Sequence, residues 1–140
     1  MKCNELMAGD WVTDKYKLPM QVYRVDMGRA YADSGCALYE FNKDYPPQPI
    51  EITKELLEAN GWKVLTDEFC DVRYYVGCVN DSNGNYIVWK NGDLSIWFDY
   101  KENSDGAYSD ILVPCKYVHQ LQQVLRLAGI TELADNFKII

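Results

Sequence analysis

Short runs of alternating hydrophobic and polar residues fill the first 45 positions of the chain, and this period of two predicts β-strands. In "GDWV" a Gly-Asp turn leads into an apolar pair, and "MQVYRVDMG" alternates so that Tyr23, Val25 and Met27 share one face. "ALYEFN" alternates again. Three short strands joined by polar turns predict a small antiparallel sheet, which an SH3-like barrel would close.

The proline-rich segment "DYPPQPIEI" marks a boundary, because closely spaced prolines impose an extended path and exclude a central strand. A short helix is predicted directly after it. Thr53 suits the N-cap of this helix, and Gly61 suits its end, since glycine readily adopts the left-handed conformation. The helix has room for only about two turns.

The second half of the chain returns to a β pattern. "VRYYVGCV" is apolar on both faces, as a central strand would be. The pair Asn91-Gly92 predicts a tight hairpin turn between two strands of high β propensity. In the second of these strands Trp97 falls on the more polar face, beside Ser95 and Asp99, which predicts an exposed tryptophan.

The segment "CKYVHQLQQVLRLAG" changes to a helical period. Val118, Leu121 and Leu125 fall on one helical face, and Gly129 ends the pattern. Pro114 suits the start of this helix. The polar residues on the opposite side are His119, Gln120, Gln122, Gln123 and Arg126. We therefore expect His119, the only histidine of the chain, at the surface or rim of an amphipathic helix.

Together these elements predict an α+β fold. It consists of a small antiparallel β-rich N-terminal lobe, a short central helix, a β-hairpin and a C-terminal amphipathic helix that packs on the sheet. With 140 residues, 48% of them hydrophobic, the chain fits a single domain over 1–140. The pattern permits two sub-lobes within it, an SH3-like β lobe over 1–45 and an α+β lobe over 50–140.

Charge and hydropathy restrict the partners and the location. The chain has 14 basic and 21 acidic residues, a formal net charge of -7, so it repels phosphate backbones at long range. This balance counts against a nucleic-acid partner. No stretch approaches the roughly 18 apolar residues of a membrane helix, and "MKCNELMAGDWV" lacks the apolar core of a signal peptide. We expect a cytoplasmic protein without a membrane partner.

Motifs of catalysis and metal binding are missing from the sequence. The five cysteines contain no Cys-x-x-Cys pair, one histidine cannot complete a two-histidine zinc set, and no phosphate loop or serine elbow is present. We therefore expect no enzyme, no catalytic residue, no metal ion and no cofactor. The alternative is a thiol–imidazole pair, because Cys115 precedes His119 by one helical turn.

Three segments, "NELMAGDWV", "PIEITKELLEANGW" and "KYVHQLQQVLRLAGI", resemble in order and spacing a set of short uncharacterised proteins from gut bacteria and their phages and mobile elements. The resemblance covers both ends and the centre of the chain, and it implies no activity and no catalytic residue. It directs attention to the matching polar, aromatic and glycine positions, which are Trp11, Thr53, Gly61, Tyr117, His119 and Gln122.

The sequence thus favours a non-enzymatic protein-interaction or regulatory module of a bacterial or phage mobile element, with an unidentified protein partner. Aromatic residues form 14% of the chain, and Tyr and Trp are enriched in interface hot spots. The candidate interaction residues are Trp11, Trp97, Tyr117, His119 and Gln122. Two alternatives are a small barrel that binds nucleic acid by stacking and an acidic mimic of DNA that inhibits a host protein. A homo-oligomer is also allowed.

Overall fold

The computed structural model describes residues 1–66, 72–77, 86–97 and 113–139, with the backbone alone at positions 77, 96 and 97. These ranges contain a four-stranded sheet, a five-stranded sheet and short helices. Both sheets are antiparallel throughout. The predicted α+β class is therefore confirmed.

The N-terminal sheet is a meander that follows a 3-10 turn at Cys3–Glu5. Its strands, in spatial as in chain order, are β1 (Trp11–Thr13), β2 (Pro19–Asp26), β3 (Arg29–Asp33) and β4 (Leu38–Phe41). One side of the sheet forms a small core with the 3-10 turn. The buried residues of this core are Cys3, Leu6, Val12, Met20, Val22, Ala30, Ala32 and Phe41. Because Ala30 and Ala32 are small, the turn can approach β3 closely.

The face assigned to β2 from its alternation is wrong. Val22 and Met20 are buried, whereas Tyr23 is 48% exposed and Met27 is 94% exposed. Alternation from the buried Met20 and Val22 places Tyr23 on the outer side, and a β-bulge between Val22 and Arg24, where the pairing with β3 shifts by one residue, then returns Val25 to the core side. A bulge inserts an extra residue, so the period of two is broken inside the strand.

The proline segment connects the two sheets and leads into α1 (Lys54–Ala59). Gln48 exchanges two 2.9 Å backbone hydrogen bonds with Thr13, so the segment runs along the outer edge of β1. The Thr53 hydroxyl accepts a hydrogen bond from the backbone N–H of Leu56, which confirms the N-cap. Gly61 follows the helix with a φ of 83°, which confirms the left-handed stop.

The second sheet has the order β5-β6-β7-β8-β9. Its strands are β5 (Lys63–Thr66), β6 (Val72–Gly77), β7 (Tyr86–Lys90), β8 (Asp93–Trp97) and β9 (Val113–Pro114). The predicted hairpin is confirmed: Asn91 and Gly92 have φ values of 51° and 89°, the left-handed pair that a tight turn between β7 and β8 requires. Pro114 lies in β9 rather than at a helix start.

Two helices complete the fold, α2 (Val118–Leu127) and α3 (Thr131–Asp135). The apolar face of α2 enters the larger of the two cores, which also takes side chains from α1, α3 and the second sheet. Its buried members include Leu57, Trp62, Ile87, Leu121 and Phe137. The apolar periodicity of α2 thus identified its core face correctly.

The opposite, polar side of α2 is buried as well, so the surface position expected for His119 is wrong. His119 is 5% exposed and Gln122 is fully buried. The polar side of α2 faces residues 5–11 of the N-terminal lobe, whose backbone and side-chain polar groups bond to it. The helix is therefore a layer between the two halves of the chain, and it buries polar groups because partners satisfy them.

Candidate functional site

Asp10 is the centre of the contact between the two halves. Its side chain is fully buried, and its carboxylate accepts hydrogen bonds from the Met7 backbone N–H (2.8 Å), Gln123 Nε2 (2.7 Å) and Arg126 Nη1 (2.6 Å). Arg126 Nε also donates to Asp135 on α3, at 3.1 Å. A buried carboxylate is tolerated only with such partners. We call the set Gly9–Trp11, Gln122, Gln123 and Arg126 the joint.

Gln122 is the second buried polar group of the joint. Its Oε1 accepts from the Trp11 backbone N–H at 2.9 Å, and its Nε2 donates to the carbonyls of Gly9 (2.8 Å) and Ala134 (3.0 Å). Trp11 is fixed a second time, since its indole Nε1 donates to the carbonyl of Phe137 at 2.7 Å. Two predicted interaction residues, Trp11 and Gln122, therefore bind each other, and the Gln122 amide serves the fold.

Gly9 is required by both its conformation and its surroundings. Its φ is 96°, in the left-handed region that favours glycine. A Cβ atom at this position would lie 2.6 Å from Arg126 Nη2, closer than side-chain contacts allow. The "GDWV" segment and the "YVHQLQ" helix, which the resemblance singled out separately, are thus the two sides of one hydrogen-bonded contact.

The predicted residues Tyr117 and His119 lie together at the start of α2. Their rings are stacked, with centroids 6.0 Å apart and planes at 12°. The His119 Nδ1 atom is buried and has no hydrogen-bond partner among the described residues. Burial lowers the pKa of His119, and the negative charges of Asp10 and Glu5 oppose that shift only in part. A neutral imidazole held in this way has no orienting partner of the kind that a general base needs.

The structure does not support a reactive thiol–imidazole pair of Cys115 and His119. Cys115 is fully buried and precedes α2, and its backbone N–H donates to the carbonyl of Gly92. Burial raises the pKa of the Cys115 thiol to about 12. A thiol with this pKa stays protonated near neutral pH and is a poor nucleophile.

The prediction for Trp97 concerns a side chain outside the described residues. Across the described ranges, no group of three His, Cys, Asp or Glu residues could hold a metal ion. In the same ranges, no helix has the length and the apolar character to cross a membrane.

The solvent-facing side of the N-terminal sheet carries a different cluster, which sequence reasoning missed. Strand register aligns Trp11 with Gln21, Gln21 with Asp33, and Asp33 with Leu38, so these four residues form one row across the sheet. The next row places Arg24 opposite Tyr31 and Tyr31 opposite Glu40. We call these two rows, with Tyr23, the outer face.

The β-bulge of β2 builds the aromatic part of the outer face. It brings the ring of Tyr23 to 6.4 Å from the ring of Tyr31, while the Arg24 guanidinium lies 4.2 Å from the centre of the same Tyr31 ring. Two consecutive residues of β2 therefore contact one tyrosine on β3. Arg29 and Glu40 form an ion pair at 3.3 Å beside them. Because Val22 before the bulge and Val25 after it both face the core, the two residues between them, Tyr23 and Arg24, both face outward.

A groove of about 590 Å³ lies on the outer face next to the joint. Its walls include the half-buried Trp11 and the exposed Tyr23, and Asp33 stands at its β3 end. The Asp33 Oδ1 atom accepts a 2.7 Å hydrogen bond from the Gly35 backbone N–H. The complete lining, which we call the groove, is Ala8, Gly9, Trp11, Gln21, Val22, Tyr23, Asp33, Ser34 and Gly35.

Of the predicted interaction residues whose side chains the structure describes, Trp11 alone lines the groove. Tyr117 lines a separate cleft of about 500 Å³ against the proline segment, and His119 and Gln122 are interior. Tyr23 was missed because the alternation of β2 was assigned to the wrong face, and Asp33 was missed because no strand was predicted at Arg29–Asp33. The one usable signal was composition, since "QVYRV" places a tyrosine and an arginine side by side in a predicted strand.

Comparison of the chain with protein-family models, with curated proteins and with solved structures finds no match. The function is therefore argued from the outer face and the joint alone.

Proposed function

We propose that this protein is an interaction module and that the outer face of its N-terminal sheet binds a protein partner. The observation that carries this proposal is the β-bulge at Tyr23, which exposes a tyrosine and an arginine around Tyr31 beside the groove. Bulges are enriched where a strand must redirect a side chain toward a functional surface.

The composition of the outer face supports this role. Trp, Tyr and Arg are the residue types most enriched in interface hot spots, and Trp11, Tyr23, Tyr31 and Arg24 supply all three types within one surface. Leu38 extends the apolar area at the β4 edge, where it is 69% exposed. Apolar and aromatic groups gathered beside a groove indicate a binding surface more strongly than single scattered ones do.

The joint supports the same role by holding the groove in place. The Trp11 backbone and indole are both hydrogen-bonded to the C-terminal half, at Gln122 and Phe137. A wall fixed in this way loses little conformational freedom when a partner binds, and that preserves affinity. In this proposal Gln122 positions Trp11 and does not contact the partner.

The test compares capture of partners from a bacterial lysate by the tagged wild type and by two matched double variants. Tyr23→Ser with Tyr31→Ser removes the outer-face rings, and Tyr16→Ser with Tyr45→Ser removes two tyrosines elsewhere in the same lobe that are more exposed than these. We expect a partner that the wild type and the control variant enrich and that the outer-face variant loses by at least tenfold. Equal recovery by both folded variants would overturn the proposal.

Nucleic-acid binding by stacking is the second candidate, because Arg24 lies over Tyr31 next to a further exposed tyrosine. The lysate experiment is repeated after nuclease treatment, and a gel shift with single-stranded DNA and RNA at low salt accompanies it. Recovery that disappears with nuclease would favour this candidate. The DNA-mimic alternative has less support, since Glu40 is paired with Arg29 on this face.

A further inference from the structure

We infer that the groove binds a cationic side chain, arginine or lysine, from an extended segment of the partner. This inference rests on the proposed function and adds the chemistry of the ligand. Three features of the described residues carry it: the spacing of the groove walls, an acidic group without a counter-ion, and aromatic faces on the opposite side.

The spacing follows from strand register. Trp11 and Asp33 occupy the same cross-strand row with Gln21 between them, so they lie two strand spacings, about 10 Å, apart. Gln21 is held down, because its Nε2 donates to the Gly9 carbonyl at 3.0 Å. The volume, about 590 Å³, lies within the range of about 300–1,000 Å³ typical of small-ligand pockets, which suits a few residues of an extended chain.

The charges in the groove select a cation. Asp33 is exposed and accepts one hydrogen bond, from the Gly35 backbone, and in the described part of the chain it has no ion-pair partner. The neighbouring acid, Glu40, already has Arg29. The nearest basic group in the second row, Arg24, is engaged over Tyr31. Asp33 is thus the carboxylate of the outer face that still lacks a cation.

The aromatic walls attract the same kind of group. The faces of Trp and Tyr rings carry negative electrostatic potential and bind ammonium and guanidinium groups. A guanidinium is also planar and offers paired N–H donors, so it can stack on Tyr23 or Trp11 while two of its N–H groups reach the Asp33 carboxylate. A neutral side chain would satisfy only one of these two interactions.

The test uses peptides of about twelve residues selected from a random display library on the wild-type protein. Each selected peptide is measured against wild type, Asp33→Asn, Asp14→Asn and Tyr23→Ser by fluorescence anisotropy. Asn at position 33 keeps an acceptor for the Gly35 N–H. Asp14 is a matched control, because its carboxylate also accepts backbone N–H hydrogen bonds in a turn of the same lobe, outside the groove. Each peptide is also made with citrulline in place of each arginine and norleucine in place of each lysine.

We expect selected peptides to contain a basic residue whose neutral replacement weakens binding at least tenfold. Asp33→Asn should cause a similar loss, and Asp14→Asn less than twofold. The inference would be overturned, and the proposed function left intact, by peptides whose binding is abolished by Tyr23→Ser but unchanged by Asp33→Asn. Failure to select any peptide sensitive to Tyr23→Ser would also overturn it, whereas the lysate comparison decides the proposed function separately.

Discussion

Arg126 Nη1 lies 2.6 Å from a carboxylate oxygen of Asp10, a residue 116 positions earlier, in an ion pair whose acid is fully buried. Arg126 keeps a second contact with Asp135, while its Nη2 atom is buried against Gly9 and has no hydrogen-bond partner in the described part of the chain. The pair therefore fixes the N-terminal sheet on α2 at a point where water cannot replace a missing partner.

Asp10→Ala should lower the free energy of unfolding by about 3–5 kcal/mol, because it leaves the Arg126 charge in the joint without its buried partner. Urea unfolding followed by tryptophan fluorescence measures this loss. Asp14→Ala serves as the control, since Asp14 is a half-buried acceptor of backbone N–H groups that lies outside the joint. A loss below about 1 kcal/mol for Asp10→Ala, the range of surface ion pairs, would contradict the buried position of the pair.

Gln122→Ala should lower the free energy of unfolding by at least about 2 kcal/mol. The substitution leaves the Trp11 N–H without its acceptor, which costs about 1–3 kcal/mol. It also removes one hydrogen bond, worth about 0.5–1.5 kcal/mol, from each of the carbonyls of Gly9 and Ala134, which keep their bonds from Gln21 Nε2 and the Phe137 N–H. Leu127→Ala is the control on the same helix, because Leu127 is largely exposed, and it should change stability by less than about 0.5 kcal/mol. Equal effects of the two substitutions would show that the amide is not buried.

Gly9→Ala should destabilise the protein more than Gly28→Ala does. Both glycines have positive φ, so both alanines carry a backbone cost of roughly 1–2 kcal/mol. Only Gly9 adds a contact, because its Cβ would meet Arg126 Nη2, whereas nothing lies within 4 Å of a Cβ at Gly28. The excess for Gly9 should be about 1–3 kcal/mol, as for overpacking in a core. Thermal unfolding of the two variants compares them directly.

Stability should fall as the pH drops through the range just below the unfolded-state pKa of histidine, about 6.5. Burial lowers the pKa of His119 in the folded state, so the unfolded state binds more protons in this window and acid favours unfolding. His119→Gln should flatten the dependence of the urea midpoint on pH between about 5.5 and 7. Since the chain has one histidine, an unchanged slope in this variant would contradict the buried neutral imidazole.

The fold was largely predictable because its strongest signals are local. Thr53 caps α1 through a contact three residues away, and Asn91-Gly92 determines a two-residue turn, so composition and spacing locate both. The bulge at Tyr23 was not predictable in this way. It is a property of the pairing between β2 and β3, and no residue type in β2 requires it.

The candidate site was less predictable, because it depends on contacts between distant segments. The apolar stripe of α2 identified the side facing the larger core, but amphipathicity cannot show that another layer covers the polar side. For this reason His119 and Gln122 were predicted on the polar side of an exposed helix, whereas both are buried. The hydrogen bond from Gln123 to Asp10 spans 113 positions, and a single sequence contains no pattern that links residues so far apart.

The long sequence separation of the joint also affects synthesis on the ribosome. Trp11 forms its strand early, yet its indole partner, the Phe137 carbonyl, comes 126 residues later. Synthesis proceeds at about 5–20 residues per second, so this wall of the groove stays unanchored for several seconds of translation. The N-terminal sheet therefore emerges before this wall of its groove is held, and Trp11 reaches its final position only when the C-terminal helices have emerged and docked.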